Sequence, residues 1–135
     1  MMRATTMILV DASAIVDVIT ESPTSKRVLA CMRDQDLIAP EIIDVEVCSA
    51  MARLERSGII TSAEADSALA LYRELPLHRV RHYDPMSVAW QRRHSVRIAD
   101  AFYVACALAV DAPILTLDQR LIRSAPEGVR FVSIA

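Results

Sequence analysis

The sequence predicts an α/β fold, a three-layer sandwich in which helices cover both faces of a mostly parallel sheet of about four or five strands. Three observations carry this. Short apolar runs suited to buried strands alternate with longer helical segments, which is the pattern of a parallel sheet. Two of those runs end in an acid: Met7-Ile8-Leu9-Val10 stops at Asp11, and Pro113-Ile114-Leu115-Thr116-Leu117 stops at Asp118. A third acid, Asp100, interrupts a segment from Ile98 to Val110 that is otherwise free of charge.

Residues 7–10 read as a buried strand, followed by a helix over 13–20 and a second, opened by Pro23 or Thr24, to about residue 33. Leu37-Ile38-Ala39 is a short strand. Pro40 suits the first position of a long helix to Ser57, which Gly58 terminates. Thr61-Ser62-Ala63-Glu64 is a capping-box signature for a helix to about residue 74, before Pro76. Residues 78–83 read as a basic strand, Asp84-Pro85 as the cap of a helix to about residue 93, and 98–110 as a helix buried on all sides. Residues 114–117 form a strand, 119–123 a short helix and 129–134 a last strand.

With 135 residues, 53% of them hydrophobic, the chain suits one domain over 1–135, with 1–6 as a short extension. No apolar stretch approaches the ~20 residues of a membrane span, and the first six residues do not read as a secretory signal. Cys31, Cys48 and Cys106 are scattered without a CxxC pair. They read as reduced, buried thiols of a cytoplasmic protein, not as a zinc site or disulfide framework. With only Gly58 and Gly128 as glycines, the chain has no phosphate loop or dinucleotide fingerprint. A net charge of −2 argues against a protein that simply coats nucleic acid.

Ligands of parallel α/β sheets bind beyond the carboxyl ends of the strands. Asp11 and Asp118 lie there, and Glu46 and Asp100 lie in early helical turns that can face the same edge. Each acid alone has an ordinary explanation: Asp11 and Asp118 as helix caps, Asp100 as the partner of a helix dipole, Glu46 as a solvated side chain. Together they converge on one edge, and buried converging acids need a neutraliser. Oxygen ligands suit Mg²⁺ or Mn²⁺. Asp44 is the rival of Glu46 on its helix but points the opposite way, and Asp17, Asp84 and Asp111 read as surface or capping residues. Ser13 and Thr116 are hydroxyls placed to orient a carboxylate. Arg97 ends a basic run with Arg92, Arg93 and His94 suited to phosphate, and Arg79 and Arg81 share one strand face.

These residues resemble the PIN-domain ribonucleases, especially the VapC-type toxins of toxin–antitoxin pairs. Ile8-Leu9-Val10-Asp11-Ala12-Ser13 resembles the family's first motif, Pro40-Glu41-Ile42-Ile43-Asp44-Val45-Glu46 its second, Ile98-Ala99-Asp100-Ala101-Phe102 its third and Leu115-Thr116-Leu117-Asp118-Gln119 its fourth. The match covers nearly the whole chain from Met7. The chain departs from the pattern at Ser49-Ala50, where many members carry Asn, and at Ile98-Ala99. The resemblance implies a Mg²⁺- or Mn²⁺-dependent endoribonuclease with Asp11, Glu46, Asp100 and Asp118 as its catalytic and metal-binding acids. It implies an RNA substrate such as a tRNA or rRNA loop, a cognate antitoxin as partner, and a homodimer or a hetero-oligomer with that antitoxin. The rival reading is a non-catalytic PIN-like module that grips protein or RNA. A dehalogenase-like phosphatase would need an acid where Ser13 stands, and a phospho-receiver a late lysine, whereas Lys26 is the sole lysine.

Overall fold

A computed structural model describes residues 6–124 and 126–134; most of the expected N-terminal extension lies outside them. The chain runs β1 (Met7–Val10), α1 (Ala12–Ile19), α2 (Ser25–Met32), β2 (Asp36–Pro40), α3 (Ile43–Arg56), α4 (Ser62–Glu74), β3 (Leu77–Val80), α5 (Met86–Gln91), α6 (Ile98–Val110), β4 (Ile114–Leu115) and α7 (Gln119–Ser124). The four strands form one sheet in the order β3-β2-β1-β4, and every pairing is parallel. The α/β architecture and strand number agree with the sequence reading.

The order fixes where a ligand site belongs. From β1 the chain steps outward twice on one side, through β2 to β3, then returns across the sheet to put β4 on the other side of β1. Right-handed crossovers put α1–α4 on one face and, after the reversal, α5 and α6 on the other. The crevice at the carboxyl ends of β1 and β4, where the direction switches, is the site such sheets offer.

Packing explains the strongest sequence signals. Leu9 and Val10 on the central strand are fully buried, as are Ile15, Val28, Ile43 and Val47 from the helices of one face. On the other face α6 lies between sheet and α5: Tyr103 and Val104 join the main core, while Ala101 and Ala105 meet Ala89 of α5 in a small second cluster. Its apolar character on nearly every side follows from being covered twice. The capping box of α4 is present in full, with Thr61 accepting from Glu64 N–H and Glu64 accepting from Thr61 N–H. Gly58, at φ +78°, takes the left-handed turn that ends α3.

Several boundaries differ from the sequence reading. β4, expected over 114–117, ends at Leu115, and α5, expected to about residue 93, ends at Gln91. Pro40 is the last residue of β2, paired with Val80, and not the first of a helix. The helix starts at Ile43, because Ile42 N–H is capped from across the sheet by His82 Nε2 at 2.8 Å. β3 therefore ends at Val80, and His82 serves as a cap and packs at a tilt against the Phe102 ring instead of extending the strand. The last strand, expected over 129–134, is reduced to one parallel bridge between Ile114 and Phe131. Of the cysteines only Cys106 is buried, its thiol pushed up to about 11 by desolvation; Cys48 is exposed and Cys31 half-buried. Among the described residues no helix is long and apolar enough to cross a membrane.

Asp44 and Arg79 tie the α3–α4 layer to β3. Arg79 donates to both Asp44 oxygens at 2.8 Å, and Tyr72 donates to Asp44 Oδ1. The guanidinium bonds hold the Asp44 carboxyl below its ordinary range. Replacing Asp44 with Asn should lower the unfolding free energy by about 1 kcal/mol, solvent screening of this half-exposed pair included, read as a lower urea midpoint with an unchanged m-value. An unaltered midpoint would show the bidentate pair to be energetically idle.

Candidate active site

Among the described residues the buried polar side chains are Asp11, Asp100 and Thr116, and all three belong to one place. Together with Glu46, Asp118, Ser13 and Arg97, both aspartates line a single pocket of about 500 Å³ at the carboxyl edge. Thr116 lies beneath it, bonded to Asp11. The structure thus brings all four sequence-predicted acids together.

Each acid is held differently. Asp11 follows β1 directly and stands at the N-cap of α1, yet its side chain makes no capping bond. Instead Oδ2 accepts from Ser13 Oγ and Thr116 Oγ1, both at 2.7 Å. Each hydroxyl has one proton, and both protons are directed at Asp11. The 3.2 Å approach between the two hydroxyl oxygens is then a consequence of the shared acceptor, not a third bond. Ser13 Oγ and Thr116 Oγ1 in turn accept from Leu117 N–H and Asp118 N–H, which pins the chain after β4.

Asp118 keeps its ordinary role as well: Oδ1 accepts from Arg120 N–H at 3.0 Å and caps α7, while Oδ2 faces the Arg120 guanidinium. Asp100, in the first turn of α6, has its carboxyl raised above the ordinary range. Burial is the main cause, Arg97 opposes it, and the charges of Asp11 and Asp118 add to it. Glu46 is raised too, again chiefly by burial, with Asp11 and Asp100 contributing and the Tyr103 hydroxyl, which donates to Oε1, opposing. Mutual repulsion of this kind requires the four acids to share one field.

The PIN domain matches residues 8–126. This chain belongs to the PIN-domain family. Within that family its relatives are of the VapC type. Ribonuclease VapC3 of Mycobacterium tuberculosis is 38% identical over 122 residues, spanning 90% of this chain and 89% of the relative. Ribonuclease VapC1 of the same organism is 37% identical over 115 residues, 84% of this chain and 86% of the relative. Among solved structures, PAE2754 from Pyrobaculum aerophilum superposes with a TM-score of 0.67 at 20% identity, covering 94% of this chain and 90% of that one. VapBC2 from Rickettsia felis, bound to a DNA fragment from its promoter, gives 0.65 at 10% identity, covering 93% and 97%. At such identities the structures speak for the fold.

Some residues of this PIN domain play parts the sequence did not give them. Asp44 faces Arg79 and Tyr72, away from the pocket, as its two-residue offset from Glu46 requires. Arg79 is thereby engaged in the fold and is not a phosphate contact. Asp17, expected as a surface or capping residue, does fasten the α1–α2 turn, Oδ1 accepting from the Ser22 and Thr24 hydroxyls, but it also lines the pocket, and Oδ2 is buried with no partner among the described residues. Tyr103, three residues after Asp100, was legible only as core, and its hydroxyl orients Glu46. Arg53 lines the pocket one helical face along from Glu46 and Ala50, a period-of-3.6 signal present in the sequence but not singled out.

The donor set fits a hard divalent cation. It is all carboxylate oxygen, and among the described residues Asp11 Oδ1 accepts no hydrogen bond while Oδ2 is fixed. Among the described residues no three such side chains already close on one point. An open set suits Mg²⁺, which keeps several waters and takes few carboxylates directly.

The raised carboxyls fix the sign of a pH effect. A folded-state pKa above the unfolded one means stability is present at low pH and is lost as pH rises through that interval. Asp100→Asn should therefore melt higher than the wild type at neutral pH in EDTA, by a few degrees. The two should converge as pH falls into the carboxylate range. A variant less stable than the wild type at neutral pH would show that the Arg97 contact outweighs desolvation.

Proposed function

We propose that this PIN-domain protein is a divalent-metal-dependent endoribonuclease, the toxin of a toxin–antitoxin pair. The observation that carries the reading is the desolvated acid set: Asp11 and Asp100 are buried in a core that gains nothing from their charge. Folds tolerate such a cost at functional sites. The relatives named ribonucleases share this reading over most of the chain.

When bound, Mg²⁺ or Mn²⁺ supplies charge compensation at the reacting phosphate and a water acidic enough to be deprotonated near neutral pH. The chain's residues do the rest. Asp11, held on one oxygen by two hydroxyls, presents the other in a fixed direction, and Asp100 and Asp118 complete the anionic floor. Glu46 suits the general base: Tyr103 fixes Oε1, leaving Oε2 without a partner among the described residues, and its raised affinity for a proton improves its reach toward neutral pH. In-line attack by water leaves a 5′-phosphate and a 3′-hydroxyl. An unpaired loop of a folded tRNA or rRNA is the substrate class, since bases splayed from a loop admit the backbone to a recessed pocket.

The partner reading rests on a second concavity. A groove of about 320 Å³ between α1, α3 and α4 is walled by Ile19, Met51, Ile60, Ala68 and Leu71, and Thr20 lines both it and the acid pocket. A partner helix seated in the groove can continue into the pocket, where an Arg or Lys would compensate the acids. The VapC type of the ribonuclease relatives favours an antitoxin as that partner.

Asp11→Asn and Asp100→Asn should each abolish cleavage of RNA in Mn²⁺ while leaving the chain folded, and Asp44→Asn should cleave normally. EDTA should stop the wild type, and millimolar Mn²⁺ should restore it and raise its melting temperature by several degrees. Loss of activity in Asp44→Asn with retention in Glu46→Gln would invert the assignment on α3.

Co-expression with the product of the upstream gene should give a tight complex with little nuclease activity, restored when the partner is digested. A complex that cleaves RNA at the full rate would sink the partner reading.

A further inference from the structure

The strongest feature left unused is a pair of arginines at the edge of the acid pocket. Arg97 precedes α6 and Arg120 lies in α7, so they come from two elements, yet both face Asp100 Oδ2: Arg97 Nε at 3.4 Å and Arg120 Nη2 at 4.0 Å. Arg120 Nη2 is also 3.4 Å from Asp118 Oδ2. These are loose, single-point contacts, longer than the ~2.7–2.9 Å of a strong charge-assisted bond. Arg79 on Asp44 gives the comparison within the same chain, with two bonds of 2.8 Å. The Arg97 and Arg120 side chains are 62% and 54% exposed, against 36% for Arg79. Each guanidinium thus keeps most of its five N–H donors free.

Those donors border a distinct cleft of about 150 Å³, which Ser95 also lines and which shares Arg97 and Asp100 with the acid pocket. Its volume is on the order of that of five waters, room for a phosphate group. A polyanion approaching four carboxylates is repelled unless its own charge is met close by.

We propose that Arg97 and Arg120 form a phosphate clamp that grips the RNA backbone at the linkage next to the one cleaved. The clamp rests on the nuclease reading and adds to it a substrate subsite with a defined chemistry. In the free chain the two guanidiniums serve as counter-ions of Asp100 and Asp118. Once a cation compensates those acids, both forks turn to bidentate phosphate contact, the geometry arginine suits better than lysine.

The two roles have opposite signs, and this makes the test sharp. Arg97→Gln and Arg120→Gln remove a positive charge from beside a cation site, so Mn²⁺ should bind each variant several-fold more tightly. The same variants should bind a short single-stranded 2′-O-methyl oligonucleotide, which cannot be cleaved, several-fold more weakly in saturating Mn²⁺. Each should also lower the slope of log affinity against log salt by about 0.7. Arg130→Gln should change neither quantity: Arg130 pairs with Asp111, just before β4 at the opposite edge of the sheet. Unchanged slopes in both variants, or parallel loss of Mn²⁺ and oligonucleotide affinity, overturns the clamp. Cleavage of RNA by the wild type, run alongside, separates the two readings. A wild type that cleaves, with unchanged slopes in the variants, defeats the clamp alone. A wild type that neither cleaves nor binds RNA defeats both.

Discussion

The structure depends on one carboxylate oxygen. Asp11 Oδ2 receives two hydroxyl protons, one from Ser13 on the following helix and one from Thr116 past the neighbouring strand. Asp11 N–H also bonds Leu115 O, so the same residue closes the β1–β4 pairing and begins the site. β4 has only two residues, and its ladder alone is a weak tether. The hydroxyls supply what the ladder lacks. Their oxygens accept from Leu117 and Asp118 N–H and so carry Asp118 to the pocket edge. Sheet closure and site assembly are one interaction at the topological switch point.

Two aspartate–arginine systems in this chain show what such placement costs. Asp44 and Arg79 satisfy each other with two short bonds, and the carboxyl is held below its ordinary range. Asp100 meets two arginines, neither closely, and burial wins, leaving its carboxyl raised. A chain that can build the first arrangement could build the second the same way. That it keeps Asp100 under-compensated, beside Glu46 in the same condition, is the arrangement the proposed function requires of a site that takes up a cation. Asp17, one of whose oxygens is buried without a partner among the described residues, extends the same pattern along the pocket wall.

The sequence revealed most where local chemistry decides. The acid that ends β1, the capping box at Thr61 and the terminating Gly58 are signals read within a few residues, and each stands as expected, whereas β4 stops at Leu115, short of Asp118. It failed where a distant group decides. Nothing near Pro40 reveals that His82, forty-two residues on, caps α3 and lets Pro40 finish a strand. The terminal segment alternates like a strand, but its neighbour β4 is too short to offer a ladder. Cys48 looked buried because its segment is apolar, whereas α3 turns only Ile43, Val47 and Met51 fully inward. At the site, the acids were legible because charge in an apolar run is conspicuous. Tyr103 and Arg120 were not, because a tyrosine in a core helix and an arginine in a short one are ordinary until their partners are known.

Charge order gives the site its logic. Four acids in one pocket favour cations and disfavour a nucleic-acid backbone, so under the proposed function the pocket and its substrate are mismatched until a cation intervenes. Arginines gripping the acids as tightly as Arg79 grips Asp44 would relieve the mismatch and would also close the site to any ion. Arginines far from the acids would leave RNA nothing to bind. Contacts of 3.4–4.0 Å to Asp100 sit between these extremes. They are near enough to temper repulsion in the free chain and weak enough to be surrendered. The same intermediate strength leaves the pocket open to a basic side chain from a partner, which competes for the carboxylates on equal electrostatic terms. On the proposed function, one set of loosely held acids would serve both activity and its inhibition, and tightening the ion pairs at Asp100 would impair the two together.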